Sequence, residues 1–267
     1  MGLDTDLKYI PDYIMSKDVS LSEKVFEFNK LIIDAVCDEV ACFKVQIAYY
    51  ESLGLEGLSA YSRTLKYLAS KEKISIADIK RGDIAATAEK YAEAHFSGEF
   101  EADYVTLNAY MGEDAISPFY SYFQTGAKGA FVLVKTSNPS GVDIQNIEVN
   151  HEYVYQLMAK NVAKWGAQFV DDSGFSSIGA VIGLTYPDEI KRIKPLMPNT
   201  FFLIPGYGAQ GGTGKDLAQL FSEGICGVVN SSRGIIAAHV KKGLEVGFEE
   251  ESRKAVLAMK EDIGKWL

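Results

Sequence analysis

Asp78 and Lys80 sit two residues apart in the run Ile74-Ser-Ile-Ala-Asp-Ile-Lys-Arg-Gly-Asp83. If that run is a strand, both side chains point to one face. Asp83 follows just past the strand end, and Thr87 lies one helical turn further on. Lys44, inside Phe43-Lys-Val-Gln-Ile47, supplies a second ammonium on the preceding apolar run. Two lysines and two aspartates can alternate, each carboxylate favouring the charged form of the lysine beside it. A lysine held charged in this way can stabilise nearby negative charge and supply a proton. Charges on an inward face are costly to desolvate unless they pair or serve a function. A lone Asp–Lys pair reads best as an ion pair that fixes register; four such charges near strand ends favour a working site.

A second constellation lies near the other end of the chain. Phe201-Phe-Leu-Ile-Pro-Gly-Tyr-Gly-Ala-Gln-Gly-Gly-Thr-Gly214 is a strand pattern followed by a glycine-rich loop. Glycines let backbone N–H groups approach an anion closely, and Gly208 and Gly211 lie in the centre of this loop. The next strand pattern ends in Asn230-Ser-Ser-Arg-Gly234, where Arg233 offers the planar fork that phosphate prefers. Gly206, Gly208 and Gly211 also fit the G-x-G-x-x-G spacing of dinucleotide folds. They fall too late in the chain for the βαβ unit that should follow.

The elements that must carry these residues follow a rhythm. Apolar runs at Cys42–Ala48, Ile74–Lys80, Tyr104–Ala109, Ala130–Ser137, Ile178–Thr185, Phe201–Pro205 and Gly227–Ser231 read as strands, with Gly2–Asp4 as the tail of one more. Helical patterns lie between them, among them Leu21–Cys37, Thr87–Phe96 and His151–Trp165. Alternation of the two implies parallel βαβ units and predicts an α/β fold, a (β/α)8 TIM barrel. Polar residues close most strands: Asp4, Lys44, Asp78, Lys80, Asn108, Ser137, Thr185, Gly206 and Ser231. That is where barrel active sites sit, and the loops after strands seven and eight often bind phosphate together. The first strand is expected to be short of residues.

The chain of 267 residues suits one barrel domain spanning residues 1–267. A net charge of −9 with both signs scattered argues against a nucleic-acid partner, though a local donor cluster can still bind a small anion. Cys37, Cys42 and Cys226 have neither zinc-site spacing nor an even number, and read as apolar filler in a reducing cytoplasm. His95, His151 and His239 lack metal-ligand spacing, so no metal site is expected. Neither a signal peptide nor a run able to span a bilayer is apparent.

These motifs resemble the orotidine 5'-phosphate decarboxylase family, in its bacterial branch with longer chains. Asp78-Ile-Lys80-Arg-Gly-Asp83 is similar to the family's Asp-x-Lys-x-x-Asp motif, Pro205-Gly-Tyr-Gly-Ala-Gln-Gly-Gly212 to its phosphate loop, and Ser231-Ser-Arg233 to its eighth-strand phosphate site. Thr136-Ser-Asn-Pro139 resembles the segment that meets the pyrimidine, and Gly2-Leu-Asp4 the first-strand ribose contact. The resemblance implies decarboxylation of orotidine 5'-monophosphate to UMP with no cofactor. Lys80 would protonate C6, with Asp78 beside the substrate carboxylate. Asp83 and Thr87 would reach into the other site of a homodimer. Lys44 and Asp4 would touch the ribose, Ser137 and Gln210 the base, and Gly208, Gly211 and Arg233 the phosphate. Two rival readings are a magnesium-dependent sugar-phosphate lyase or aldolase of related barrel type, and a catalytically silent nucleotide-binding barrel.

Overall fold

A computed structural model of the chain describes residues 1–184, 187–208, 211–218, 220–222 and 224–267. The strands are β1 (Gly2–Leu3), β2 (Cys42–Gln46), β3 (Ile74–Arg81), β4 (Tyr104–Leu107), β5 (Gly129–Lys135), the short β6 (Glu148–Val149) and β7 (Glu152–Tyr153), β8 (Ile178–Ile182), β9 (Phe202–Pro205) and β10 (Gly227–Asn230). Among the described residues, eight strands form one sheet in the order β1-β2-β3-β4-β5-β8-β9-β10, and β6 with β7 makes a separate antiparallel pair. Within the large sheet β1 pairs with β2, β2 with β3, β4 with β5, β5 with β8, β8 with β9 and β9 with β10, all in parallel. Helices separate successive strands, and the fold is the expected (β/α)8 barrel. No helix among the described residues is long and apolar enough to cross a membrane.

The chain divides into two compact units. The first comprises Met1–Ile79, Ala94–Asp103 and Ser231–Glu261. Its first long helix, Leu21–Val36, starts at a capping box in which Ser20 accepts from the Glu23 amide and the Glu23 carboxylate accepts from the Ser20 amide. Val25, Phe28, Ile32, Ile33 and Val36 recur every three or four residues and form its buried face, which packs on helix Gly54–Ser70. Phe28 stacks on Phe248 at 4.9 Å between ring centres. The short first strand is tied from several sides. Gly2 N–H donates to Ser231 O at 2.9 Å, Lys44 N–H to Met1 O at 2.7 Å, and the Met1 amino group to Cys42 O at 2.9 Å.

The second unit comprises Lys80–Glu93, Tyr104–Asn230 and Asp262–Leu267. Every residue of β8 is buried and β5 is buried save for half-buried Leu133, as strands covered on both faces require. In this pair the register advances two residues on β5, from Leu133 to Lys135, against one on β8, from Val181 to Ile182. That bulge re-aims the end of β5.

Several boundaries differ from the sequence reading, each for a local reason. The second strand stops at Gln46 instead of Ala48, because the Gln46 side chain caps the helix Ile47–Glu51 that follows. The fourth stops at Leu107, since Asn108 accepts from the Tyr110 amide at 3.1 Å and turns the chain. The fifth runs Gly129–Lys135, so Thr136 and Ser137 lie in the loop beyond it. The sixth main strand ends at Ile182, and Thr185 lies outside the described residues. The helix read from His151 begins at Val154 instead: Asn150 and His151 both take positive φ, 50° and 67°, and make the two-residue turn between β6 and β7.

Candidate active site

In the first unit the site residues form a buried charge array. Lys44, on β2, and Asp78, on β3, are each only 5% exposed. The Lys44 ammonium donates to Asp78 Oδ2 at 2.7 Å and lies 3.4 Å from Asp4 Oδ1, just past β1. Register puts Gln46 opposite Asp78, and Gln46 Nε2 donates to the same Oδ2 at 2.8 Å. Burial works against the Lys44 charge, but the carboxylates of Asp78 and Asp4 outweigh it and hold its pKa above that of an ordinary lysine. Behind Asp4 a buried network fixes the chain: Thr5 donates to Asn29, Asn29 donates to Tyr50 and Thr64, and Tyr50 donates to Leu3 O. Arg233 opens the short helix Arg233–Ile236 and is exposed, beside the buried Ser231.

The second unit carries the rest. Lys80 departs from the simple alternation that would place it at the depth of Asp78. It is exposed, with φ at 45°, a left-handed conformation that costs a non-glycine residue about 1–3 kcal/mol. Its N–H is taken by Thr106 Oγ1 on β4 at 2.9 Å. Such strain persists where the surroundings impose it, and it concentrates at functional positions. Asp83 is half-buried in the loop after β3, where its Oδ1 accepts from the Ile84 amide at 2.8 Å. Thr87 is exposed in the first turn of helix Ala85–Phe96.

Ser137 is half-buried beyond β5. A side chain on Gly183 would meet its Cα, Cβ and N at 2.8 Å, so only glycine lets the two segments approach. In the glycine loop Gly208 and Gly211 adopt φ of 72° and 91°, which side chains disfavour. Their N–H groups close the loop on itself, Gly208 donating to Gly212 O and Gly211 to Gly208 O, so these two amides shape the loop instead of standing open to an anion as the sequence suggested. The loop is tethered by Asp262, whose Oδ2 accepts from Tyr207 Oη and from the Gly214 amide, both at 2.8 Å. Gln210 lies outside the described residues.

Gln46 and Thr106 were not singled out from sequence. Gln46 had a usable signal, being two residues from Lys44 on the same strand face. Thr106 had none, because it acts on a backbone N–H. Cys37, Cys42 and Cys226 form no disulfide. Among the described residues no group of three or more His, Cys, Asp or Glu side chains is placed to hold a metal ion.

The chain as a whole is similar to known proteins. Residues 14–243 match the Orotidine 5'-phosphate decarboxylase / HUMPS family. The orotidine 5'-phosphate decarboxylase of Clostridium acetobutylicum is 51% identical over 269 aligned positions, covering 100% of this chain and 94% of the relative. That of Clostridium tetani is 50% identical over 263, covering 98% and 91%. The solved OMP decarboxylase of Leishmania donovani superposes with a TM-score of 0.75 at 28% identity, covering 94% of this chain and 90% of the other. A buried lysine–carboxylate array, a strained second lysine and a tethered glycine loop thus occur in a chain similar to these enzymes over nearly its whole length: it belongs to the orotidine 5'-phosphate decarboxylase family.

Proposed function

We propose that this chain is a carboxy-lyase that converts orotidine 5'-monophosphate to UMP in pyrimidine biosynthesis, using Lys80 as proton donor and neither metal nor organic cofactor. The observation that carries the reading is the Asp4–Lys44–Asp78 array: a buried Lys44–Asp78 ion pair with half-buried Asp4 as a second carboxylate, two residues from a lysine in a strained conformation. Loss of CO2 breaks the C6–carboxyl bond and leaves its electron pair on C6. The Lys80 ammonium stabilises that charge and transfers a proton to C6, becoming a neutral amine that solvent reprotonates. Asp78, fixed by Lys44 and Gln46, stands beside the substrate carboxylate, and their repulsion falls as CO2 departs.

No single contact suffices. Enzymes lower barriers by about 8–23 kcal/mol, and one well-placed donor supplies roughly 3–4 kcal/mol. Grip on the phosphate by Arg233 and by the loop that Gly208 and Gly211 shape, with Ser137 and Gln210 on the base and Asp4 and Lys44 on the ribose, supplies binding energy remote from the bond that breaks. In this reading residues 1–267 act as one domain in a cytoplasmic homodimer, with Asp83 and Thr87 of each chain completing the site of the other.

The test is the absorbance change of orotidine 5'-monophosphate with purified protein, before and after exhaustive chelation. Turnover that survives chelation and is abolished by Lys80→Ala, with UMP affinity retained, is the expected result. Chelation that stops turnover points to the metal-dependent lyase, and near-normal turnover in Lys80→Ala overturns the role of the lysine.

A further inference from the structure

One fully buried cation stands apart from the chemistry proposed above. Lys135 is the last residue of β5, at the bulge against β8, and its side chain is 0% exposed. Its ammonium donates to Asn146 Oδ1 at 2.7 Å, lies 3.4 Å from Glu189 Oε2, and sits 5.6 Å from the centre of the Tyr155 ring. Asn146 Nδ2 donates to Glu189 Oε1 at 3.0 Å, which closes a triangle of three side chains. A buried lysine is tolerated only with such partners.

The triangle spans the neck of a loop. Residue 135 is bound to residue 146, and the next residues inward are also bound to each other. The Thr136 amide donates to Gln145 Oε1 at 3.0 Å, and Gln145 Nε2 donates to Thr136 Oγ1 at 2.7 Å. Thr136 Oγ1 in turn donates to Asn138 Oδ1 at 2.7 Å. Ser137 is the residue held between these bonds. A loop whose feet are pinned twice loses little further freedom when a ligand meets its tip.

We infer that Lys135, Asn146 and Glu189 form a positioning clamp that presets the Ser137 segment for the pyrimidine base, with Gln145 and Thr136 as its inner rung. None of the five is a catalytic residue: they act through Ser137. The inference rests on the reading of Ser137 as a base contact. It assigns the clamp to recognition of the base and not of the phosphate.

The test compares two ligands on one folded variant. Asn146→Ala removes the acceptor of Lys135 and the donor to Glu189. Inhibition constants are measured for UMP and for ribose 5-phosphate, which lacks the base, with folding checked by circular dichroism. A misplaced contact can cost up to about 100-fold. Weakening of UMP by about tenfold or more, with ribose 5-phosphate within about twofold, is the expected result. Unchanged UMP affinity, or equal losses for both ligands, overturns the clamp while leaving the decarboxylase reading intact. Should Asn146→Ala fail to fold, Gln145→Ala on the half-buried inner rung gives the same comparison. Wild-type protein that neither binds UMP nor turns over orotidine 5'-monophosphate overturns the functional reading, and this inference with it.

Discussion

Lys80 combines an exposed side chain with a left-handed backbone, and Thr106 is the group that engages its N–H. Thr106→Val keeps the volume of this buried side chain but removes the acceptor. The N–H of Lys80 would lose a bond worth about 1 kcal/mol, and the strained conformation would lose support. We expect kcat to fall about tenfold with KM nearly unchanged, as for an interaction that matters mainly in the transition state. Equal kcat in a folded Thr106→Val protein would show that Thr106 does not position the lysine. The types and spacing of Asp78, Lys80 and Lys44 were legible in the sequence because charges rarely interrupt apolar strands. The φ of Lys80 was not, since period-two reasoning assumes regular backbone throughout.

Two adjacent strands, β2 and β3, face Lys44 to Asp78, and their pairing stabilises the fold as well as the site. The folded pKa of Lys44 is raised above the ordinary 10.5. This contribution is therefore complete below 10.5 and is lost as pH rises through the folded value. Lys44→Met leaves Asp78 and Asp4 without their buried cation and should cost about 3–5 kcal/mol near neutrality. Denaturant titrations across the alkaline range should show the gap between wild type and Lys44→Met narrowing above pH 10.5. A constant gap would mean that the pair contributes nothing as an ion pair. At this scale the sequence was read well where an apolar run was long and regular, as in β3, expected at Ile74–Lys80 and found at Ile74–Arg81. It was read poorly where a side chain ended an element, as Gln46 does for β2 and Asn108 for β4. The hairpin of β6 and β7 went unseen because its turn is Asn150-His151, without the glycine that usually marks one.

For the whole molecule the proposed sharing of sites turns on Asp83. Asp83 lies beyond the strand that carries Lys80, where the chain turns into helix Ala85–Phe96. If it completes a neighbour's site, inactive Lys80→Ala and Asp83→Ala proteins should complement each other. Random exchange makes half the dimers mixed, and each mixed dimer has one intact site of its two, so about a quarter of wild-type activity should return. Exchange confirmed by mass without recovered activity would place Asp83 in its own chain's site. The Asp4–Lys44–Asp78 array has a further consequence, for how such a sequence can drift. A step at Lys44 alone strands two carboxylates, at a cost comparable to a large part of a domain's stability of about 5–15 kcal/mol. Lys44 and Asp78 are therefore epistatic: neither can be exchanged cheaply before the other, whether or not the protein is under selection for activity. A descendant would therefore keep or lose Lys44 and Asp78 together, so the pair would outlast the chemistry as a mark of shared ancestry.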